Sequence, residues 1–176
     1  LLTSTQADIN NGTNLDVLEA PGVLLSGIGT QDFETSAVFR NVNVPNGSDQ
    51  LLLYVGASAT NLVRAGVHEQ EVYLAIENQG AGDVTPFLSA TGAFNPGDDI
   101  QLSLSRTDGT WELSWDNLTT PAMSGSSGPL TFAFLDSETD LYTGVIAANA
   151  GSATSFTAEI DSFNVTTEDD IATPSS

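Results

Sequence analysis

The stretch SLSRTDGTWELSWD, residues 103–116, constrains the fold of this 176-residue chain more than any other. Asp108-Gly109 stands between two segments in which every second residue is apolar. A two-residue type I′ turn needs positive φ at both central positions, which Asp tolerates and Gly adopts without steric cost. With that pair as the turn, Thr107 opposes Thr110, Arg106 opposes Trp111, Leu104 opposes Leu113, and Leu102 opposes Trp115. Side chains alternate across a strand, so Ile100, Leu102, Leu104, Arg106, Trp111, Leu113 and Trp115 share one face. Gln101, Ser103, Ser105, Glu112 and Ser114 share the other, and a slip of one residue would bury this polar set. The Arg106–Trp111 pair beside the turn has two readings. Arg106 covers the end of a core with its stem and keeps its head in water. Alternatively, the pair forms the rim of a sugar site, a guanidinium over an indole gaining roughly 0.5–1 kcal/mol.

The rest of the chain repeats this grammar. Apolar segments alternate with Gly/Asn/Asp/Pro/Ser turns, and no helix of three turns is evident. Strands are predicted near 14–19, 22–28, 32–44, 50–56, 62–68, 71–78, 86–91, 99–106, 110–116, 130–135, 141–149 and 154–166. Many short strands with period-2 patterning point to an all-β, two-sheet antiparallel β-sandwich, and their number suits a jelly roll. Residues 1–166 are expected to form one domain, and 167–176 an acidic Pro/Ser tail or linker. The Ser/Gly run between Pro121 and Pro129 reads as a flexible loop.

Charge narrows the partners. Three basic residues (Arg40, Arg64, Arg106) face 23 acidic ones, for a net charge of −20. Such a surface repels phosphate backbones and anionic lipid, so nucleic acid and electrostatic membrane docking are not expected. No apolar run approaches the roughly 18 residues needed to span a bilayer, so membrane insertion is not expected. Cysteine is absent, which excludes disulfides and thiol-bound zinc. Leu1-Leu2 leads straight into polar sequence, as in a mature protein or an excised module. Sequons at Asn11, Asn46, Asn117 and Asn164 are about as many as composition alone gives.

The second half carries a resemblance. GDDI (97–100), LSLSRTDGTWELSWD, LYTGVIAANAG (141–151) and FTAEIDSFNVT (156–166) follow one another in that order, preceded by RAGVHEQEVYLAIENQG (64–80). This order resembles the concanavalin A-like lectin/glucanase superfamily, in particular its laminin-G-like jelly-roll modules, over roughly residues 30–166. The resemblance implies two packed sheets, one of them concave, and secreted or cell-surface work, often on carbohydrate and often with Ca²⁺.

Tests for chemistry follow. Glucanases of that superfamily place three carboxylates on one strand, and retention needs two of them about 5–5.5 Å apart. Glu159 and Asp161 share a face here, but the third acid is missing. With one histidine and no lysine, polysaccharide-lyase chemistry is not expected, and no nucleophile elbow or phosphate-binding loop is present. The expectation is therefore that the chain is not an enzyme. Calcium is the expected small ligand, because Asp136, Glu138 and Asp140 are spaced to converge oxygens on a hard cation. Asp98 and Asp99 form a second candidate, and Asp83 a weaker third. Sugar recognition needs aromatic faces beside amides and carboxylates. Tyr54, Tyr73, Trp111, Trp115 and Tyr142 are the aromatic candidates, with core packing favoured for Trp115. Tyr73 is expected on an exposed strip with Glu71, Glu77 and His68, and Trp111 with Arg106 forms the other candidate.

The functional expectation is a noncatalytic, calcium-assisted carbohydrate-binding or adhesion module of a larger secreted or surface protein. The alternative is a self-assembling subunit or spacer of a surface layer or fibre, copies joining by exchange of the N-terminal strand.

Overall fold

In the computed structural model, residues 2–3, 22–44, 49–58, 60–78, 85–149 and 156–168 are described. The predicted strand at 14–19, the loop acid Asp83 and most of the predicted tail lie outside them. Among the described residues there are twelve strands: β1 (Leu2–Thr3), β2 (Gly22–Leu25), β3 (Phe33–Arg40), β4 (Asp49–Ser58), β5 (Asn61–His68), β6 (Glu71–Asn78), β7 (Thr85–Thr91), β8 (Ile100–Thr107), β9 (Thr110–Asn117), β10 (Gly125–Ser126), β11 (Leu141–Asn149) and β12 (Thr157–Thr167). They form two six-stranded antiparallel sheets, ordered β1-β12-β3-β8-β9-β10 and β2-β11-β4-β5-β6-β7.

The β8–β9 hairpin has the register that its turn dictates. Leu102 pairs with Trp115, Leu104 with Leu113, Arg106 with Trp111 and Thr107 with Thr110. Asp108 and Gly109 sit at φ 51° and 72°, as a type I′ turn requires. Ile100, Leu102, Leu104, Trp111, Leu113 and Trp115 point into the main core. There they meet Leu51, Leu53 and Val55 of β4, Val63, Ala65 and Val67 of β5, and Val72 and Leu74 of β6. Removing such side chains from water, at roughly 1.5–3 kcal/mol each, holds the layers together. One polar link crosses that apolar interior: the Thr143 hydroxyl of β11 donates to the Thr35 hydroxyl of β3 at 2.8 Å, both buried.

The predicted strand at 130–135 is corrected. Leu130 makes a single bridge to Trp111, and residues Ala133–Asp136 form a one-turn helix, α1. The alternation of Leu130, Phe132 and Phe134 mimics a strand, but the segment closes the end of the sandwich instead. Phe132 packs edge-on against Trp111 at 5.5 Å.

The layers differ on their outer faces. The first sheet presents Ser105, Glu112, Ser114 and Asp116 to solvent or partly so. The second buries a separate cluster of Leu52, Tyr54, Leu62, Tyr73, Ala75, Ile146 and Ala148.

Candidate functional site

Four places could carry function: the hairpin end, the clustered carboxylates, the outer face of the second sheet, and the opposite, loop end of the sandwich.

At the hairpin end, Arg106 and Trp111 are not a rim. Trp111 is 0% exposed and Arg106 1%. The Arg106 guanidinium carbon lies 5.0 Å from the Phe33 ring centroid and 5.5 Å from that of Trp111. Its Nη2 donates to the carbonyls of Gly29 (2.7 Å) and Gln31 (2.6 Å), and Nε also donates to Gln31. Trp111 Nε1 donates to Asp136 at 2.9 Å. The pair seals the core and ties down the segment entering β3. This corrects the sugar-rim reading, and the head of Arg106 is not in water either. A cleft of about 410 Å³ opens alongside, lined by Asp32, Glu34, Thr107 and Glu168 among others. Arg106 Nε and Nη2 are spent on backbone carbonyls, while Nη1 is buried without a hydrogen-bond partner.

The expected calcium ligands are put to structural use. Asp136 accepts the Trp111 indole N–H, while Asp140 accepts the Gly27 N–H at 2.7 Å and the Ser26 hydroxyl at 3.2 Å. Glu138 follows α1, its N–H closing on Leu135. Asp98 accepts from the Asn117 carboxamide at 2.7 Å and the Asn95 N–H at 2.9 Å. These bonds hold its carboxyl below the usual range, the Asn117 bond contributing most. Asp99 accepts the Asn41 N–H and Arg40 Nη1, and its carboxyl is likewise held low. Among the described residues no group of three or more His, Cys, Asp or Glu is placed to hold a metal ion. Asn117, a sequon residue, is buried by its bond to Asp98.

The outer face of the second sheet does gather polar groups, but not as an open strip. Tyr73 is 5% exposed and Glu77 3%, which corrects the expected position of both. For Tyr73 the reason is the floor beneath it. Gly66 faces Tyr73 across β5–β6, and a Cβ there would stand 2.4 Å from the phenol ring. The ring therefore lies down on the sheet, and its hydroxyl donates to Gln50 at 2.8 Å. Burial raises the Tyr73 phenol and the Glu77 carboxyl above their ordinary values, and pushes the Tyr54 phenol up to about 12. The two phenols stay neutral at neutral pH, in an interior already closed.

This face reaches solvent at Tyr142 of β11, 37% exposed, and at the β5–β6 turn. His68 and Glu71, paired at the end of β5–β6, are half-buried. The His68 ring stands edge-on to Tyr73 at 5.0 Å, and Ser89 donates to Glu71. The two are joined by the turn Glu69-Gln70, whose φ values are 45° and 69°. Neither residue is Gly, Asn or Asp, the types that tolerate this conformation, so the turn stores strain. Its backbone is anchored on both sides: Glu69 N–H donates to Val44, and Ala93 N–H to Gln70. A cleft of about 430 Å³ opens there, lined by Asn43, Val44, Glu69, Gln70, Phe94 and Pro96. It offers two carboxamides, one carboxylate and an apolar wall. Of four described non-glycine residues at positive φ, three (Asn41, Glu69, Gln70) lie at this end. Sequence reasoning reached His68 and Glu71 but passed over Asn43, Glu69, Gln70, Phe94 and Pro96. The available signal was a two-residue hairpin turn spelled Glu-Gln where Asn-Gly would be unstrained.

No protein-family model and no curated protein matches the sequence. Solved structures do match. A GH43 protein, BlXynB, from Bacillus licheniformis superposes with TM-score 0.71 at 12% identity, over 93% of this chain and 32% of that one. A family 7 alginate lyase superposes with TM-score 0.58 at 17% identity, over 80% of this chain and 64% of that one. A functionally unknown protein from Saccharomyces cerevisiae gives TM-score 0.60 at 13% identity, over 84% of this chain and 74% of that one. The fold is a concanavalin A-like jelly roll. At these identities the likeness shows the fold alone, and this chain spans about a third of the GH43 chain. The comparison nevertheless overturns the expectation that the chain is not an enzyme. Structures sharing its fold are those of a glycoside hydrolase family protein and an alginate lyase, so the missing carboxylate triad and scarce bases do not exclude catalysis.

Proposed function

We propose that this chain is a carbohydrate-recognising module of a larger secreted or cell-surface protein, and that its glycan lies in the loop-end cleft of Asn43, Glu69, Gln70, Phe94 and Pro96. The observation that carries the reading is the strained Glu69-Gln70 turn. Residues held in costly backbone conformations concentrate at sites of function, and here they line a cleft of small-ligand size. Carboxamides and a carboxylate hydrogen-bond sugar hydroxyls, while exposed Pro96 gives the C–H face of a sugar an apolar wall over buried Phe94. The concanavalin A-like fold and the laminin-G-like order of motifs support the same reading. Affinity electrophoresis through gels containing xyloglucan, xylan, mannan or alginate tests it. Retention by a neutral polysaccharide, lost in Gln70→Ala and unaffected by EDTA, is expected. Migration unchanged in every gel overturns the reading. Release of reducing ends or unsaturated uronates from the same polymers decides whether recognition is coupled to cleavage.

One observation favours self-association as a second activity. The edge strand β2 carries Val23 and Leu24 at 44% and 47% exposure, in a segment without charge. Such an edge is a template for strand addition. Sedimentation velocity across a concentration series checks it, and a monomer throughout removes this reading.

A further inference from the structure

The loop-end cleft does not stand alone. A second cleft of about 340 Å³ lies beside it, lined by Arg40, Asn43, Phe156, Thr157 and Glu159 among others. Asn43 belongs to the walls of both. The segment 41–44 carries the chain from β3 in the first sheet to β4 in the second, so the two clefts lie either side of the crossing between layers. One is walled by the start of β12, the other by the β5–β6 turn. Each is within the size range of a small-ligand site, about 300–1,000 Å³.

From this arrangement, resting on the reading that the cleft takes sugar, we infer that the two clefts are one groove, and that its ligand is a neutral polysaccharide chain running across the end of the sandwich. Three features specify it. Asn43 is exposed at the shared wall, where one carboxamide can serve a sugar in either cleft. Apolar surface is present on both sides, from exposed Pro96 in one cleft and half-buried Phe156 in the other. The charges reject an anionic polymer. Arg40 is bound to both Asp99 (2.7 Å) and Asp161 (2.8 Å), which leaves no free cation at the groove. Glu69 and Glu159 stand at opposite ends, on a chain of net charge −20. A uronate chain therefore meets repulsion throughout, whereas a chain of neutral hexoses or pentoses offers hydroxyls to carboxylates and carboxamides alike.

The test is calorimetric titration of the whole chain with oligosaccharides, from disaccharide to octasaccharide, cut from the panel polysaccharide that is retained. Affinity is expected to rise at least about tenfold along the ladder and then level off once both clefts are filled. Thr157→Tyr and Glu159→Trp, at two exposed positions of β12, are each expected to return the octasaccharide to the affinity of the short oligomers, leaving those oligomers unchanged. Gln70→Ala is expected to weaken every length. Equal affinity for all lengths, or β12 variants that bind the octasaccharide as the parent does, overturns the continuous groove while leaving the single cleft standing. No retention by any panel member overturns both. Oligomers of alginate binding as tightly as the neutral ladder overturns the assignment of charge class.

Discussion

Replacing Glu69-Gln70 by Asn-Gly should make the protein more stable and poorer at its task. At φ 45° and 69°, two ordinary L-residues occupy left-handed backbone, each at a cost of about 1–2 kcal/mol. Asn tolerates that region and Gly adopts it freely, so most of the strain is released. Glycine returns about 0.5–1 kcal/mol through the entropy of the unfolded chain. The net gain is about 1–2 kcal/mol, and for a domain of this size each kcal/mol moves Tm by about 2–4 °C. Both anchoring bonds of the turn, Glu69 N–H to Val44 and Ala93 N–H to Gln70, are backbone bonds and survive the exchange. The Asp108-Gly109 turn is an internal standard, because it has the same conformation in residues suited to it. Scanning calorimetry of parent and variant measures the shift, with urea midpoints as a second probe. A Tm that is unchanged or lower refutes the strain argument. A Tm that rises with glycan retention undiminished refutes the link between strain and binding.

Three further outcomes follow from contacts already described. Arg106→Met removes a buried cation and its bonds to Gly29 and Gln31, leaving two carbonyls without their donor; a loss of about 3–5 kcal/mol in urea unfolding is expected, and a loss under 1 kcal/mol would show that the seal is ornamental. Gly66→Ala sets a methyl group 2.4 Å from the Tyr73 ring and 2.6 Å from Leu52; a cost of about 1–3 kcal/mol is expected, and a neutral result would show that the phenol is free to lift. The Asp98 carboxyl is held low by Asn117 and Asn95. Its contribution is present above the ordinary carboxylate value and is lost as pH falls through the depressed one. Asp98→Asn should therefore be less stable than the parent at neutral pH, the gap closing below about pH 4; a gap independent of pH would refute the role of the charge.

The hairpin was legible in the sequence because its determinants are local: two turn residues and a period of two fix every pair from Ile100 to Asn117. The double-layered architecture followed from the same alternation repeated along the chain. The site was less legible because its determinants are not local. Glu71, Tyr73 and Glu77 alternate with apolar residues as a solvated face should, yet Tyr73 is buried. Gly66, on a neighbouring strand, leaves the ring room to lie flat. Asp136, Glu138 and Asp140 have the spacing of cation ligands, but distant partners, Trp111 and Gly27, claim two of them. The loop-end cleft is assembled from residues 43–44, 69–70 and 94–96, which nothing in the linear order brings together.

The buried Thr35–Thr143 bond acquires a mechanical meaning from the groove. Apolar layers can slide over one another with little change in contact area, but a buried hydroxyl pair joins only at one offset, so it favours that offset of the sheets over its neighbours. A sugar chain seated over the 41–44 crossing would brace the same offset from outside. Loaded with ligand, the sandwich would be pinned against shear at two points, inside and at its end, and pulling on the bound polymer would meet a stiffer body than pulling on the empty one.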